Sequence, residues 1–279
     1  ETGEAPHHDP QITRGTPNSL ELKIATWNCQ GRRHYETAYT LASMRKLDVL
    51  VITEATKAQK VEVVLSQKAK EYETSQQIIS DRIVKVRLET PGATLNLIGV
   101  YNYTSRHPIR QEAILDQVAS LIREIKLGEG VVVLGDLNAR ISSRDHQENP
   151  YIGRYSGNPR GNASGVTLAE WAEEHKLFVA NTWFIKMKMG LSSYLSLNAG
   201  ETRLRDHLRV KRKYACCLDW VMTNLRYFVD CYCDWTFSVS RHGYTRDHAC
   251  LVSVWRIPIK KKRQRTRKPE QIKIPFWER

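Results

Sequence analysis

The chain has 279 residues, 41% of them hydrophobic, a size that suits one large α/β domain or two small ones. Its 43 Lys and Arg against 30 Asp and Glu give a net charge of +13, which implies acidic partners, nucleic acid first and an anionic membrane second. No run of 18 apolar residues occurs, so the sequence predicts no membrane-spanning helix and no membrane partner for this domain.

Short apolar runs recur along the chain and predict strands. In chain order, the predicted strands are 22–28, 49–53, 82–89, 94–101, 130–135, 177–181, 214–222, 228–238 and 249–256. Helices are predicted between some of them, at 35–46, 57–69, 108–126 and 166–176. The 108–126 segment repeats its apolar residues at helical spacing. Strands mixed with helices suggest two packed sheets with helices outside.

Two long segments between predicted strands, 140–164 and 190–213, are polar and rich in turn residues. Loops of this length within a compact domain are usually functional or mobile. No strong linker interrupts the chain before Trp255. The sequence therefore predicts one domain at 20–257, a flexible N-terminal tail at 1–19 and a basic C-terminal tail or linker at 258–279.

Polar residues of the types used in catalysis lie at the ends of several apolar runs. They are Asn28, Glu54, Asp136, Asn138, Asp219, Asp247 and His248. Polar groups at the ends of several strands can meet on one rim of a sheet. Two amides, four carboxylates and one histidine collected there suit metal-assisted phosphodiester hydrolysis.

A phosphodiester is an anion, so its hydrolysis requires a site that neutralises charge and activates water. Mg²⁺ prefers oxygen ligands and usually keeps several waters, so one or two carboxylates are enough to hold it. Glu54 is the first expected ligand, and Asn28 is expected to help through its carbonyl oxygen or a bound water. The sequence does not separate Mg²⁺ from Mn²⁺.

The order Trp27-Asn28, Glu54, Gly135-Asp136-Leu137-Asn138, Asp219, Asp247-His248 resembles the endonuclease/exonuclease/phosphatase superfamily. That superfamily includes deoxyribonuclease I, abasic-site endonucleases and inositol polyphosphate phosphatases. Further segments resemble the endonuclease domain of non-LTR (LINE-type, RTE-like) retrotransposons. They are Ser80-Asp81-Arg82-Ile83, Gly99-Val100-Tyr101, Asn162-Ala163-Ser164-Gly165 and Asn181-Thr182-Trp183-Phe184. The resemblance implies a deoxyribonuclease I-like α/β fold of two packed mixed β-sheets flanked by helices, a four-layer sandwich.

The resemblance also implies roles for the polar residues. Asp136 would orient or deprotonate the attacking water, and Asn138 would bind the phosphate or fix Asp136. His248 would contact the phosphate as an imidazolium, oriented by Asp219. Asp247 would approach the metal or the scissile phosphate.

Two further residues and one basic segment are expected to contact DNA by the same resemblance. Tyr101 matches a tyrosine that hydrogen-bonds the phosphate, and Ser193 matches a threonine near the DNA backbone. Arg246 departs from the resemblance, because the family usually has serine there, and its extra charge would either strengthen phosphate binding or disturb the Asp-His pair. The retrotransposon enzymes carry a hairpin that probes the DNA minor groove where this chain has a basic segment. The basic candidates are Arg203, Arg205, Arg209, Lys211, Arg212 and Lys213.

The expected function is a metal-dependent DNA endonuclease whose nicks leave 3′-OH ends that prime reverse transcription. A reverse transcriptase domain is then expected C-terminal to this domain, and the nucleus is the expected location. Three alternatives stay open: an abasic-site repair endonuclease, a phosphoinositide or nucleotide phosphatase, and a domesticated DNA-binding module with weak catalysis. The +13 charge favours a long polyanion over a small phosphate ester.

Overall fold

A computed structural model of the chain describes residues 18–31, 35–156, 158, 160–185, 193–195, 215–234 and 247–259. The first strand begins at Ser19 and the last ends at Pro258. The two predicted tails lie almost entirely outside the described residues, so the domain boundaries stay a prediction. Within the described ranges, no helix is both long enough and apolar enough to cross a membrane.

The described elements are runs of consecutive strands with helices between some of them. In chain order they are β1 (Ser19–Asn28), α1 (Tyr35–Met44), β2 (Val49–Thr53), β3 (Val61–Leu65), α2 (Gln67–Lys70), β4 (Glu73–Ser80), β5 (Ile83–Glu89), β6 (Thr94–Tyr101), α3 (Pro108–Arg123), β7 (Gly130–Asp136), α4 (Ala163–Glu174), β8 (Phe178–Val179), β9 (Tyr194–Leu195), β10 (Ala215–Cys216), β11 (Asp219–Thr223), β12 (Phe228–Asp234) and β13 (Cys250–Pro258). Short 3-10 turns lie at Asp145–Gln147 and Ala180–Thr182.

The strands form two mixed sheets and a short two-stranded ladder. One sheet has the order β12-β13-β1-β2-β3, the other β4-β5-β6-β7-β11-β8, and β9 pairs with β10. Two neighbouring pairs run parallel, β1 with β2 and β6 with β7. Parallel neighbours end at the same edge of a sheet, so the carboxyl ends of these four strands can carry one site.

Strands in the middle of each sheet are buried on both faces, which explains their continuous apolar runs. In β1, Leu22 and Ile24 enter the core between the two sheets, whereas Ala25 and Trp27 enter the core under α1. The sheets approach closely at Gly99, where an added Cβ would lie 2.8 Å from a methyl carbon of Val51.

Helices cover the outer faces of both sheets and complete the four-layer sandwich that the resemblance implied. α1 packs on the five-stranded sheet through Ala38 and Ala42. α3 and α4 pack on the six-stranded sheet, and α3 buries Ile114, Val118 and Leu121 at helical spacing. The fold-class prediction is confirmed.

The predicted helix at 57–69 is wrong. Residues Val61–Leu65 form β3, antiparallel to β2, and only Gln67–Lys70 are helical. Val61 is fully buried in the core between the sheets. Three β-branched valines in five residues fit a half-buried strand, and pairing with β2 outweighs any local helical preference.

Three other predicted boundaries shift for local reasons. α4 begins at Ala163 rather than 166, because the side chain of Asn162 caps the helix by accepting from the Gly165 amide at 2.9 Å. The predicted strand 177–181 ends at Val179 in a 3-10 turn. The predicted strand 214–222 is divided into β10 and β11 by Cys217 and its neighbour.

Most of the long 140–164 segment is packed against the domain. Ile152 is buried, and the side chain of buried Asn158 binds both backbone groups of Cys217, accepting from its amide at 2.8 Å and donating to its carbonyl at 3.2 Å. Asn158 also donates to the Ile141 carbonyl. The segment therefore holds the turn that precedes β11.

Candidate active site

Asn28 and Glu54 lie side by side at the edge of the five-stranded sheet. β1 ends at Asn28, which is opposite Thr53 in the parallel register, and Glu54 follows directly. Glu54 has a φ of 53°, a left-handed conformation that few non-glycine residues adopt and that is often found at functional sites. The side chains meet, with Asn28 Nδ2 donating to Glu54 Oε1 at 3.0 Å.

Tyr101, Asp136 and Asp219 form a row across the six-stranded sheet. Asp136 pairs with Tyr101 in the parallel register and with Asp219 in the antiparallel register. Gly135, just before Asp136, has a φ of 150°, and a Cβ there would lie 1.8 Å from the Val100 carbonyl oxygen. Only glycine allows β7 to pair closely with β6 up to the last residue of the strand.

Two hydrogen bonds join the two sheets at this edge. Asn28 Nδ2 donates to Asp136 Oδ2 at 2.9 Å, and the Tyr101 hydroxyl donates to Glu54 Oε1 at 2.6 Å. Asn28 Oδ1 accepts from the Gln30 amide at 3.0 Å, which fixes the orientation of the side-chain amide. Asn28 thus presents its NH₂ group to both carboxylates, whereas the sequence predicted a metal contact through its carbonyl oxygen or a bound water.

Asn138 fixes Asp136 through the backbone. The Asn138 amide donates to Asp136 Oδ1 at 3.0 Å, and its side chain donates to the Asn102 carbonyl at 3.0 Å. Asn138 has a φ of 50°, a conformation that asparagine adopts more readily than most residues. Both oxygens of the Asp136 carboxylate are therefore held in place by amide donors.

His248 and Asp219 form a buried pair. The ring nitrogen Nδ1 of His248 lies 3.0 Å from Asp219 Oδ2, and Trp27 Nε1 donates to the His248 carbonyl at 3.3 Å. Asp219 is fully buried, and its other oxygen, Oδ1, has no hydrogen-bond partner among the described residues. The Nδ1 contact leaves Nε2 as the ring nitrogen that can reach a substrate.

The pair keeps His248 positively charged. Burial alone would lower the pKa of His248, but the charge and the hydrogen bond of Asp219 outweigh burial, and the charges of Asp136 and Asp247 add to them. Together they raise the pKa to about 10. At neutral pH the ring is an imidazolium that donates from both nitrogens.

Two carboxyl groups of the site also have raised pKa values, which favours their uncharged form. Burial, followed by the charge of Asp219, raises the pKa of Asp136 to about 7, although the charge of His248 opposes the change. Burial likewise raises the pKa of Asp247. Asp136 can therefore take up and release a proton near neutral pH, as a general base requires.

A sequence model of the endonuclease/exonuclease/phosphatase family matches residues 25–242. The chain belongs to this family. A comparison with curated protein sequences found no match.

Solved structures with the same fold include two AP endonucleases and the endonuclease domain of one retrotransposon. An AP endonuclease from Archaeoglobus fulgidus is 13% identical, with a TM-score of 0.59 over 84% of this chain and 99% of that one. The endonuclease domain of TRAS1, a telomere-specific non-LTR retrotransposon, is 16% identical, with a TM-score of 0.58 over 87% and 100%. The AP endonuclease LMAP from Leishmania major is 15% identical, with a TM-score of 0.59 over 85% and 88%.

The donor set of this endonuclease/exonuclease/phosphatase domain fits a divalent cation. Four carboxyl groups converge on one edge of the sheets. The positive charge of His248 opposes the rise in the pKa of Asp136. Potential ligand atoms of Asp136, Asp219 and His248 lie within 4.8 Å of one another. An imidazolium has no free lone pair, so His248 does not complete a ligand set, and the oxygens of Glu54 and Asp247 are the better ligands for a hard cation.

Most of the predicted catalytic and metal residues of this family member are brought together. Asn28, Glu54, Tyr101, Asp136 and Asn138 are connected by hydrogen bonds. The Asp219–His248 pair lies beside Asp136, and Asp247 is bound by the side-chain amide of Gln30.

The predicted DNA contacts have a different outcome. Ser193 is fully buried, and its hydroxyl accepts from the amides of Leu218 and Asp219, each at 3.0 Å. Its position is that of a support for the strand that carries Asp219, not of a surface that meets a DNA backbone. The remaining candidates lie outside the described residues: Arg203, Arg205, Arg209, Lys211, Arg212, Lys213 and Arg246.

Besides Gln30, three residues with clear roles in the site were not assigned from the sequence. Asn158 and Asn181 have buried side-chain amides that hold the backbone near Asp219. Asn158 donates to the Cys217 carbonyl, and Asn181 Nδ2 donates to the Asp219 carbonyl at 3.3 Å. Tyr194 packs its ring against His248. Asn181 belongs to a segment that resembles the retrotransposon enzymes, which was the one available signal; Asn158 and Tyr194 carried none.

Proposed function

We propose that this domain is a divalent-metal-dependent DNA endonuclease that cuts one strand and leaves a 3′ hydroxyl and a 5′ phosphate. The observation that carries the proposal is the juxtaposition of two buried groups, the His248 ring, which is hydrogen-bonded to Asp219, and the Asp136 carboxyl group, whose potential ligand atoms lie within 4.8 Å of one another. The first group suits a negatively charged phosphate and the second suits activation of water.

The geometry supports a division of labour among the residues. Asp136, held by the Asn138 amide and by Asn28, accepts a proton from the attacking water. His248 donates from Nε2 to a phosphate oxygen as negative charge develops, while Asp219 keeps the ring charged and oriented. The Tyr101 hydroxyl, whose pKa is raised by burial and by Glu54, stays protonated and remains a donor.

A divalent cation held by Glu54 and Asp247 would supply positive charge for the phosphate and the leaving oxygen. Mg²⁺ is the proposed ion, and Mn²⁺ is the alternative that shares its ligand chemistry. Gln30 and Tyr101 orient the two carboxylates through hydrogen bonds.

DNA is the proposed substrate because of the charge of the chain. The net charge is +13, and the sequence of 203–213 contains six basic residues and one acid, Asp206. Such clusters bind phosphate backbones chiefly by releasing counterions. A small phosphate ester would not require this surplus.

The finer proposal is a retrotransposon endonuclease whose nick primes reverse transcription. It rests on the sequence resemblance and agrees with the fold shared with the TRAS1 domain. The corresponding proposals are a reverse transcriptase domain in the full-length protein and action in the nucleus. An abasic-site endonuclease is the second candidate, because two structures of the same fold are AP endonucleases.

The test is a nicking assay on supercoiled plasmid with Mg²⁺ or Mn²⁺. We expect conversion to open circles that DNA ligase reseals without prior kinase treatment, which requires a 3′ hydroxyl next to a 5′ phosphate. Asp136→Ala and His248→Ala should each lower the rate by about 10²- to 10⁴-fold. His175→Ala is the matched control, since His175 stacks on Trp171 in α4, outside the site.

Chelator-resistant cleavage, or no cleavage with either metal, would refute the proposal. A parallel assay on one oligonucleotide duplex, with and without an abasic site, separates the two candidates. Strong preference for the abasic duplex favours a repair enzyme. Nicking of the intact duplex at a comparable rate favours the retrotransposon type.

A further inference from the structure

We propose that Tyr194 is a positioning residue that holds the ring of His248 in its reactive orientation, with Ser193 tying the same segment to Asp219. The proposal rests on the proposed function, because it assigns His248 to the phosphate. The proposal adds Tyr194 to the site as a residue whose side chain acts through His248.

Ser193 is bound to both chain segments that carry the pair. Its hydroxyl accepts from the amides of Leu218 and Asp219, each at 3.0 Å, and its carbonyl accepts from the Ala249 amide at 2.8 Å. Ala249 directly follows His248. One buried residue therefore fixes the backbone of Asp219 relative to the backbone of His248.

Tyr194 adds a contact to the ring itself. It forms an antiparallel bridge with His248, and the two ring centroids are 5.0 Å apart at an interplanar angle of 62°. This edge-to-face geometry is a favoured arrangement of aromatic rings. Tyr194 is also paired with Cys216 in the β9–β10 ladder, so its backbone is held from the opposite side.

The contact is needed because one hydrogen bond does not define the plane of an imidazole. The Nδ1 bond to Asp219 sets the direction of the ring, but the ring can still tilt about the line of that bond. A large side chain packed against the ring restricts the tilt and so fixes where Nε2 points. A displacement of about 1 Å at a reacting group can lower a rate by about 10²-fold.

The role differs from that of a DNA-binding residue in its kinetic consequences. Removal of a group that orients His248 lowers kcat, because His248 acts as charge develops on the phosphate. Removal of a DNA-binding side chain raises KM for DNA and leaves a small phosphodiester unaffected. A ring without the hydroxyl is sufficient for positioning, so Tyr194→Phe should restore the activity that Tyr194→Ala lacks.

The first arm of the test measures hydrolysis of a small chromogenic phosphodiester. Tyr194→Ala should lower kcat by about 2- to 10-fold, which corresponds to the interaction free energy of one aromatic pair, and KM should not change. Tyr194→Phe should match the wild type. In the His248→Ala background, Tyr194→Ala should cause no further loss, since the group that it positions is absent.

Tyr232→Ala is the matched control, because Tyr232 is also half-buried and packs on the core under α1. It should lower thermal stability without changing kcat. Tyr194→Leu keeps much of the volume of the side chain without the aromatic ring and serves if the alanine variant does not fold.

The second arm does not require activity. In the metal-free protein, the Nδ1 proton of His248 should give a downfield proton resonance, identified by its absence in His248→Ala. Tyr194→Phe should keep this resonance, and Tyr194→Ala should broaden or remove it.

Each outcome decides the proposal. An unchanged kcat and an unchanged resonance in Tyr194→Ala would overturn it, as would additive losses in the double variant or an effect confined to KM. An inactive wild type would refute the proposed function, and the resonance would still decide the role of Tyr194.

Discussion

Asp219→Asn tests the electrostatic basis of the site. The substitution removes a buried charge but keeps the size of the side chain and an oxygen that can accept from His248 Nδ1. The rise in the pKa of His248 from 6.5 to about 10 corresponds to a preference of roughly 5 kcal/mol for the imidazolium. Asp219 supplies the largest of the contributions that raise it, so the pKa of His248 should fall in the variant, where only the charges of Asp136 and Asp247 still oppose burial.

The pKa of Asp136 should fall as well, because the charge of Asp219 helps to raise it. Activity requires an ionised Asp136 and a protonated His248. The wild-type rate should therefore rise through a pH of about 7 and fall through about 10. In the variant both limbs should move to lower pH. At an assay pH one to two units above the pKa of His248 in the variant, about a tenth to a hundredth of the rings stay protonated, a roughly 10- to 100-fold loss of rate.

The assay combines pH–rate profiles on the small phosphodiester with an NMR titration of the His248 ring in metal-free protein. Asp48→Asn is the matched control, since Asp48 is also a buried aspartate but accepts from the Lys23 amide, away from the site. Profiles that keep both limbs in place, or a ring pKa that stays near that of the wild type in a folded variant, would refute the electrostatic reasoning.

Three further predictions test other parts of the site. Glu54→Gln should raise the metal concentration needed for half-maximal nicking, and Glu62→Gln on β3 should not; equal requirements would remove Glu54 as a ligand. Ser193→Ala should lower the free energy of unfolding, measured in urea, by about 1–3 kcal/mol, because the amides of Leu218 and Asp219 lose their acceptor. Ser193→Thr should recover most of the lost stability. Alanine at three of the basic residues in 203–213 should weaken DNA binding and lower the salt dependence of the binding constant by roughly 0.9 for each phosphate that is no longer neutralised. Nick sites should be redistributed, while hydrolysis of a small phosphodiester should not change. An unchanged salt dependence and nick pattern would exclude this segment from DNA binding.

The sequence predicted the parts of the fold that depend on local pattern. Apolar runs indicated the central strands of both sheets, because strands buried on both faces are apolar throughout. α3 was recognisable from its helical spacing. The residues at the ends of those runs, such as Glu54 and Asp136, were assigned to one site because strand ends of a sheet converge.

Local pattern failed where tertiary contacts chose the conformation. Val61–Leu65 was predicted as part of a helix, but β2 offers it a partner and the core buries Val61. Ser193 was expected at the DNA because it matches a family threonine near the DNA backbone, and such a match does not reveal the burial of the side chain. Its hydroxyl is instead satisfied by two amides that lie 25 and 26 residues further along the chain.

The chemistry of the site was decided by the tertiary structure. The sequence supplied the residue types and their order, and these indicated the reaction class. Charges contributed by other segments raise the pKa of His248 to about 10 against the effect of burial, and burial together with the charge of Asp219 raises the pKa of Asp136 to about 7. Asn28 became a donor to two carboxylates because the Gln30 amide donates to its oxygen. Tyr194 lies against His248 only because β9 bridges to the segment that precedes β13; such distances and burials arise on folding and have no local signature in the sequence.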